Sequence, residues 1–304
     1  MTTSGSVLAG GVLATSAPAR TTTAGVTSAG SPLRVNSVTL TVRDLDTVSR
    51  FYQQVMGLKL IEGGPRSARL GVGDRVLLDL RHDPAAAPAS RRSAGLFHTA
   101  FLLPSRADLA QWLLHVAALR IPLQGASDHL VSEAIYLADP EGNGIEIYHD
   151  RPSETWTWQN GMVNMATLPL DLDGLVASVR TPRWSGLPEG SSIGHVHLQV
   201  GDLRKAEEFY AGLLGLDVVS RSSSAAFLSS GGYHHHLAVN TWNSHGAPIR
   251  PEATAGLATV ELIADPDIRD AIRARMTPEQ AAEQAVGHLS LRDPWGTSIL
   301  LLSA

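Results

Sequence analysis

Cysteine is absent from the 304-residue chain, which removes disulfides, thiolate metal sites and cysteine nucleophiles together. Long apolar runs are missing too: no stretch approaches the ~20 residues needed to cross a bilayer, so no membrane span is expected. Basic charge is not in excess. The 24 lysines and arginines face 29 acidic residues for a net charge of −5, leaving no cationic footprint for a phosphate-rich partner, and nucleic-acid binding is not expected. Residues 1–31 contain little that could form a core. This Ser/Thr/Ala/Gly tract cannot bury enough apolar surface to offset its ordering entropy, and it reads as a disordered tail. Its VLAGGVLA stretch lacks a preceding lysine or arginine and is broken by glycine, which argues against a secretory signal. A soluble, cytoplasmic protein is the expectation.

What is present is a 43% hydrophobic composition, enough for a packed core, and a length compatible with two domains. Twelve histidines become the natural supply of metal ligands once thiolates are excluded.

The chain is duplicated. VTLTVRDLDTVSRFYQQVMGLKL from Val38 and VHLQVGDLRKAEEFYAGLLGLDV from Val196 match at Asp44/Asp202, Leu45/Leu203, Phe51/Phe209, Tyr52/Tyr210, Gly57/Gly215 and Leu58/Leu216. Each copy reads as an alternating strand, then a helix opened by an aspartate cap and closed by glycine. Short strands follow, SARLGVG and RVLLDLR in one copy, AAFLSSGG and HHHLAVN in the other. A second unit type runs from GLFHTAFLLPS through the helix RADLAQWLLHVAALR to AIYLADPEGNGIEIY, with a weaker partner from GLATVELIADP to HLSLRDPWGTSILLL. Four quarters of the type strand, helix, three strands result: two in a module spanning residues 32–150, two in a module spanning 193–304, and a Pro/Trp-rich linker at 151–192 between them.

A βαβββ unit leaves one sheet edge and a concave face uncovered, so two units side by side form a cup whose floor can hold a ligand. On this pattern the sequence resembles the vicinal oxygen chelate superfamily of glyoxalases, bleomycin-resistance proteins and extradiol dioxygenases. The resemblance implies an α+β fold of four βαβββ units making two cup-shaped mixed sheets, often with a divalent metal held by histidine and carboxylate.

In HLVSEAIYLADPEGNGIE, the Asp139-Pro140-Glu141-Gly142 tetrapeptide predicts a tight turn that sets Tyr136 and Glu146 on adjacent antiparallel strands. The stretch is similar to the signature of extradiol ring-cleaving dioxygenases from His129 to Glu146, with Ser127 where that pattern prefers glycine. The resemblance implies Glu146 as a metal carboxylate, His98 as a histidine ligand, and His129 and Tyr136 as groups beside the metal. Ferrous oxygenases use two histidines and one carboxylate because this set leaves open positions on the ion. For the second histidine, strand alternation puts both His195 and His197 of IGHVHLQV on one face; the resemblance favours His195. It also implies an acid/base role for His235, which alternation separates from His234 and His236.

In the fourth quarter, Thr259 and Leu300 stand where His98 and Glu146 do in the second, and Ser37 of the first stands where His195 does in the third. The complete set thus comes from the two middle quarters, and these are expected to share a cup, with quarters one and four building a metal-free one. If consecutive quarters paired instead, His98 and Glu146 would be separated from His195. His82, His115, His149, His245 and His288 carry no motif and read as structural or solvated. Trp156, Trp158, Trp184 and Trp242 are candidates for a pocket wall.

The function implied is Fe(II)-dependent extradiol cleavage of a catechol-type diol by O₂, with Mn(II) as an alternative ion; a homo-oligomer is compatible with the sequence. The alternatives are a glyoxalase-like metal-dependent isomerase or lyase, and a small-molecule binding protein of the bleomycin-resistance type.

Overall fold

The computed structural model describes residues 25–181, 183–282, 284 and 288–304; most of the stretch read as a tail lies outside them. The first quarter comprises β1 (Leu33–Val42), α1 (Leu45–Gln54), β2 (Lys59–Gly64), β3 (Ser67–Val72) and β4 (Arg75–His82). The second comprises β5 (Gly95–Leu103), α2 (Arg106–Ala118), β6 (Gly125–Asp128), β7 (Ser132–Ala138) and β8 (Gly144–Asp150). A joining segment carries the short pairs β9 (Trp158–Gln159), β10 (Met162–Val163) and β11 (Leu168–Pro169), then α3 (Leu172–Ala177). The third quarter comprises β12 (Ser192–Gln199), α4 (Leu203–Glu207) running into a π-helical stretch Glu208–Leu213, β13 (Asp217–Arg221), β14 (Ala225–Ser229) and β15 (Leu237–Asn240). In the fourth, β16 (Gly256–Ala264) is followed by α5 (Pro266–Arg275), α6 (Pro278–Ala282) and only two strands among the described residues, β17 (Leu289–Arg292) and β18 (Ser298–Ser303). Two of the three strands expected after the helix of this quarter are thus seen among the described residues.

The local rules act as the repeat implies. Asp44 and Asp202 cap their helices by accepting the amides of Thr47 and Lys205 at 3.0 Å each. Gly57 and Gly215 end them at φ of +79°, a conformation that penalises any residue with a Cβ. Val38, Leu40 and Val42 of β1 alternate into the core, as do Val196, Leu198 and Val200 at the start of the third quarter.

Quarters do not pair in chain order. One sheet of seven strands runs β17-β18-β16-β1-β4-β3-β2, and another of nine runs β11-β6-β7-β8-β5-β12-β15-β14-β13. Quarter one therefore joins quarter four through the antiparallel β1/β16 seam, and quarter two joins quarter three through β5/β12. The outer cup encloses a cavity of about 620 Å³ lined by Ser37, Thr259 and Leu300, the counterparts of His195, His98 and Glu146. Several polar groups there are paired: Glu261 accepts from Asn36 and Ser37, and Arg81 pairs with Asp79.

Two expectations need correction. Residues 233–236 are not strand, since β15 begins only at Leu237; side-chain alternation cannot separate His234 from His235. The stretch read as a linker is also not a bare connector. β11 pairs with β6 at the edge of the nine-stranded sheet, Leu175 of α3 is buried, and Arg106 donates to the Gly174 carbonyl. The described end of the N-terminal stretch packs as well: Ser28 and Ser31 are buried and Val26 packs against the cluster of Val131, Trp156, Val163, Val219 and Tyr233. No helix among the described residues is long and apolar enough to cross a membrane.

The Asp-Pro turns lock consecutive quarters together across the two sheets. Asp139 accepts the amides of Glu141 and Asn143 and the Asn143 side chain at 2.8–2.9 Å, and the Tyr52 hydroxyl of α1 at 3.4 Å. Glu141 accepts both the Arg43 and Asp44 amides at 2.7 Å. In the second half Asp293 accepts the Trp295 and Thr297 amides and the Tyr210 hydroxyl. Burial pushes the Asp139 carboxyl up from 3.8 to about 6, against the lowering effect of those donors. A folded value above the unfolded one favours folding below pH 4 and withdraws that advantage as pH rises through 6; a displacement of this size corresponds to on the order of 3 kcal/mol. Urea unfolding from pH 4 to 7 should therefore show the wild type losing stability relative to Asp139→Asn. A constant gap between the two would contradict the assignment.

Candidate metal centre

The β5/β12 register brings the histidines of the two middle quarters together. His197 pairs with His98 and His195 with Ala100, with irregularities at Gly194 and near Phe97; such bulges re-aim side chains where they occur. On the neighbouring β8, Glu146, Tyr148 and Asp150 share the concave face, while Ile145 and Ile147 enter the core. β7 contributes Tyr136 directly opposite Glu146.

His98, Glu146 and His195 converge, each offering a ligand atom within 4.8 Å of the others. Glu146 Oε2 lies 2.9 Å from His98 Nε2 and 3.2 Å from His195 Nε2. All three side chains are buried. A buried carboxylate costs several kcal/mol unless cationic or donor groups surround it. Burial raises the Glu146 carboxyl, but the His195 and His98 imidazoles outweigh it and hold the group well below its ordinary range. Burial also drives His195 down to about 4 despite the attraction of Glu146, so its imidazole keeps a free lone pair at neutral pH, as metal ligation requires. His98 Nε2 and His195 Nδ1 are buried with no hydrogen-bond partner. The Nε2 atoms of two imidazoles facing one carboxylate oxygen are the donor set that a divalent cation completes, and the residues fit such an ion.

Around this trio sit the other residues singled out by the sequence. His129 Nε2 is 2.6 Å from the Tyr136 hydroxyl and its Nδ1 is 2.7 Å from the Ala166 carbonyl. Burial, then the Glu146 carboxylate, pushes the Tyr136 phenol well above 10, so it stays protonated. The His235 ring centre is 4.1 Å from that of His195. Burial, reinforced by neighbouring histidines, holds His235 well below its usual range. His197 is not in the converging trio: its Nε2 meets Asn240 Nδ2 at 2.9 Å, and its ring packs between His98, Phe97 and Trp242.

Of the tryptophans, Trp156 packs on Tyr233 and His234, and half-exposed Trp242 packs on Phe97 and His197. Trp158 joins the Trp156 cluster. Trp184 is elsewhere, stacked on His115, whose Nε2 lies 2.8 Å from the Gln54 carbonyl. His245 is exposed.

The structure adds residues that motif matching missed. Tyr148, Asp150, Tyr233 and His234 form one hydrogen-bonded group. Tyr148 and Tyr233 hydroxyls are 2.8 Å apart, Tyr233 donates to Asp150 at 2.9 Å, and His234 Nε2 reaches Asp150 Oδ1 at 2.8 Å. The period-two pattern Glu146-x-Tyr148-x-Asp150 was the available signal.

A sequence profile of the Glyoxalase/Bleomycin resistance protein/Dioxygenase superfamily matches residues 34–147 and 192–296. The chain belongs to this superfamily. A catechol-2,3-dioxygenase of Bacillus subtilis (strain 168) is 41% identical over 237 residues, covering 76% of this chain and 83% of the relative. Among solved structures, a putative dioxygenase from Bacillus subtilis subsp. subtilis str. 168 aligns with TM-score 0.57 at 14% identity, over 88% of this chain and 84% of that one. Glyoxalase I from Zea mays aligns with TM-score 0.53 at 16% identity, over 89% and 92%. These two likenesses concern the fold, the mixed α+β arrangement of curled sheets typical of superfamily members.

Within this superfamily member, the residue before His195 has a steric reason. A Cβ on Gly194 would lie 1.8 Å from the Tyr148 hydroxyl oxygen, so glycine lets the β12 backbone pass over the tyrosine. Gly194→Ala should lower the thermal midpoint by several degrees, equivalent to about 1–3 kcal/mol. Adding Tyr148→Phe, which removes the clashing oxygen, should recover part of the loss. A double variant no more stable than the sum of the two single losses would show that the contact is not the cause.

Proposed function

We propose that this chain is an Fe(II)-dependent extradiol dioxygenase that cleaves a catechol-type diol. The observation that carries this reading is the convergence of His98, Glu146 and His195, from both halves of one cup, on a single point. Support comes from the catechol-2,3-dioxygenase relative at 41% identity and from the grouping of His129, Tyr136 and His235 about the same point.

Two imidazoles and one carboxylate suit ferrous iron with positions left open, and a bound ion would supply diol chelation and O₂ activation. The chain's own residues then manage protons and shape. The Ala166 carbonyl can only accept, so His129 Nδ1 carries the hydrogen, and in the neutral ring Nε2 accepts from the Tyr136 hydroxyl. Tyr136 is thereby held with its oxygen beside the ligand trio, placed to orient a substrate hydroxyl. His235, kept neutral by burial, is positioned to take a proton from the diol and return it later. Phe97 and Trp242, packed edge to face 5.1 Å apart, offer an aromatic wall for the flat ring, and the buried floor limits water.

The test is anaerobic loading with Fe(II), then O₂ uptake with catechol and appearance of the yellow ring-opened product. Glu146→Ala should lose both iron retention and colour, with turnover down by about 10²-fold or more. Tyr136→Phe should keep its iron while kcat falls by about 10²-fold. Wild-type protein that holds iron but consumes no O₂ with any catechol, or Glu146→Ala that still turns over, would overturn the reading.

A further inference from the structure

The group formed by Asp150, Tyr233 and His234 is more than packing, because its hydrogen bonds have a direction. A carboxylate only accepts, so the 2.8 Å contact between Asp150 Oδ1 and His234 Nε2 requires the hydrogen on Nε2. In the neutral ring, Nδ1 is then bare and must accept. Its partner, at 2.8 Å, is His235 Nδ1, which must therefore donate. With the His235 hydrogen on Nδ1, Nε2 holds the free lone pair, and among the described residues no hydrogen bond reaches it.

We propose that Asp150 and His234 are positioning residues that fix the tautomer and orientation of His235, presenting its Nε2 as a bare base beside His195. The order of contacts is Asp150, His234, His235, running from a partly exposed carboxylate to the candidate metal centre. His234 is fully buried and Asp150 keeps a fifth of its side chain accessible. Asp150 is itself fixed by the Tyr233 hydroxyl at 2.9 Å, and Tyr233 by Tyr148 at 2.8 Å. The His234 ring packs against Trp156 and Tyr233, with centroids 5.2 and 4.1 Å away. A carboxylate behind an imidazole selects one tautomer in this way wherever the far nitrogen must act as a base. Here the selection is relayed through a second imidazole.

The assignment of a catalytic purpose rests on the reading of His235 as the acid/base group; the tautomer does not. The decisive experiment is long-range ¹H–¹⁵N NMR of ¹⁵N-histidine-labelled, metal-free protein, with His235→Gln identifying the His235 signals by their loss. The expected pattern is Nε2–H for His234 and Nδ1–H for His235. In Asp150→Asn, whose amide can also donate, His235 should shift towards Nε2–H. His234→Leu, which removes the acceptor, should give a mixture. His235 as Nε2–H in the wild type, or a pattern unchanged in both variants, would overturn the proposal.

A second arm uses Fe(II)-loaded protein. Asp150→Asn should lower kcat for catechol by about 10-fold or more with KM within about twofold and iron content retained, and Asp150→Glu should recover part of kcat. Loss of iron and stability in step with kcat, without recovery by glutamate, would mark Asp150 as merely structural and overturn the catalytic part. Should the wild type fail to cleave any catechol, the proposed reaction falls while the NMR result still decides the tautomer.

Discussion

The antiparallel seam between β5 and β12 is the constraint on which the rest of the molecule depends. Cross-strand neighbours lie only ~5 Å apart, so this one register sets His98 beside His197 and His195 beside Ala100. β8, parallel to β5, then delivers Glu146 to the same floor. A slip of one residue would turn the whole set over to the helix-covered face, where Val196, Leu198 and Ile147 now sit. The apolar alternation that builds the core therefore also aims the ligand residues, and folding energy is spent on the geometry of the site.

Duplication supplies the frame and divergence supplies the asymmetry. Both halves keep the same Asp-Pro turn, with Asp139 and Asp293 gathering amides of their own turn and the hydroxyl of a tyrosine on the preceding quarter's helix. Those contacts explain the turn motif without any appeal to chemistry at the metal. The two cups differ in what faces their floors. One presents histidine, glutamate and tyrosine; the other presents Ser37, Thr259 and Leu300, with Glu261 held by Asn36 and Ser37 and Arg81 paired with Asp79.

Burial gives the candidate centre its electrostatic character. Desolvation disfavours the charged form of a buried imidazole, and it lowers His195, His197, His235 and His236. Lone pairs are thereby kept available, while Glu146 is the one carboxylate within the trio. The same enclosure makes each hydrogen-bond direction consequential: where a ring nitrogen has a single partner, that partner decides which side carries the hydrogen.

The repeat was legible from matched residues in the two halves, and the capped helices, the alternating strands and the turn that sets Tyr136 against Glu146 were legible because each follows from contacts between residues close along the chain. The sequence also narrowed the metal-ligand candidates to His98, Glu146 and His195 or His197, since the outer quarters carry Ser37, Thr259 and Leu300 at the matching positions. The expected pairing of quarters two and three, and the choice of His195 over His197, became definite only in the folded chain; that residues 233–236 leave the strand, so that His234 meets both Asp150 and His235, had no counterpart in the sequence reading. Tertiary structure also drew the supposed linker in to place Ala166 against His129. Pairing between distant strands, and the path of a segment without regular hydrogen bonding, depend on the packing of the whole chain, and no local periodicity encodes them.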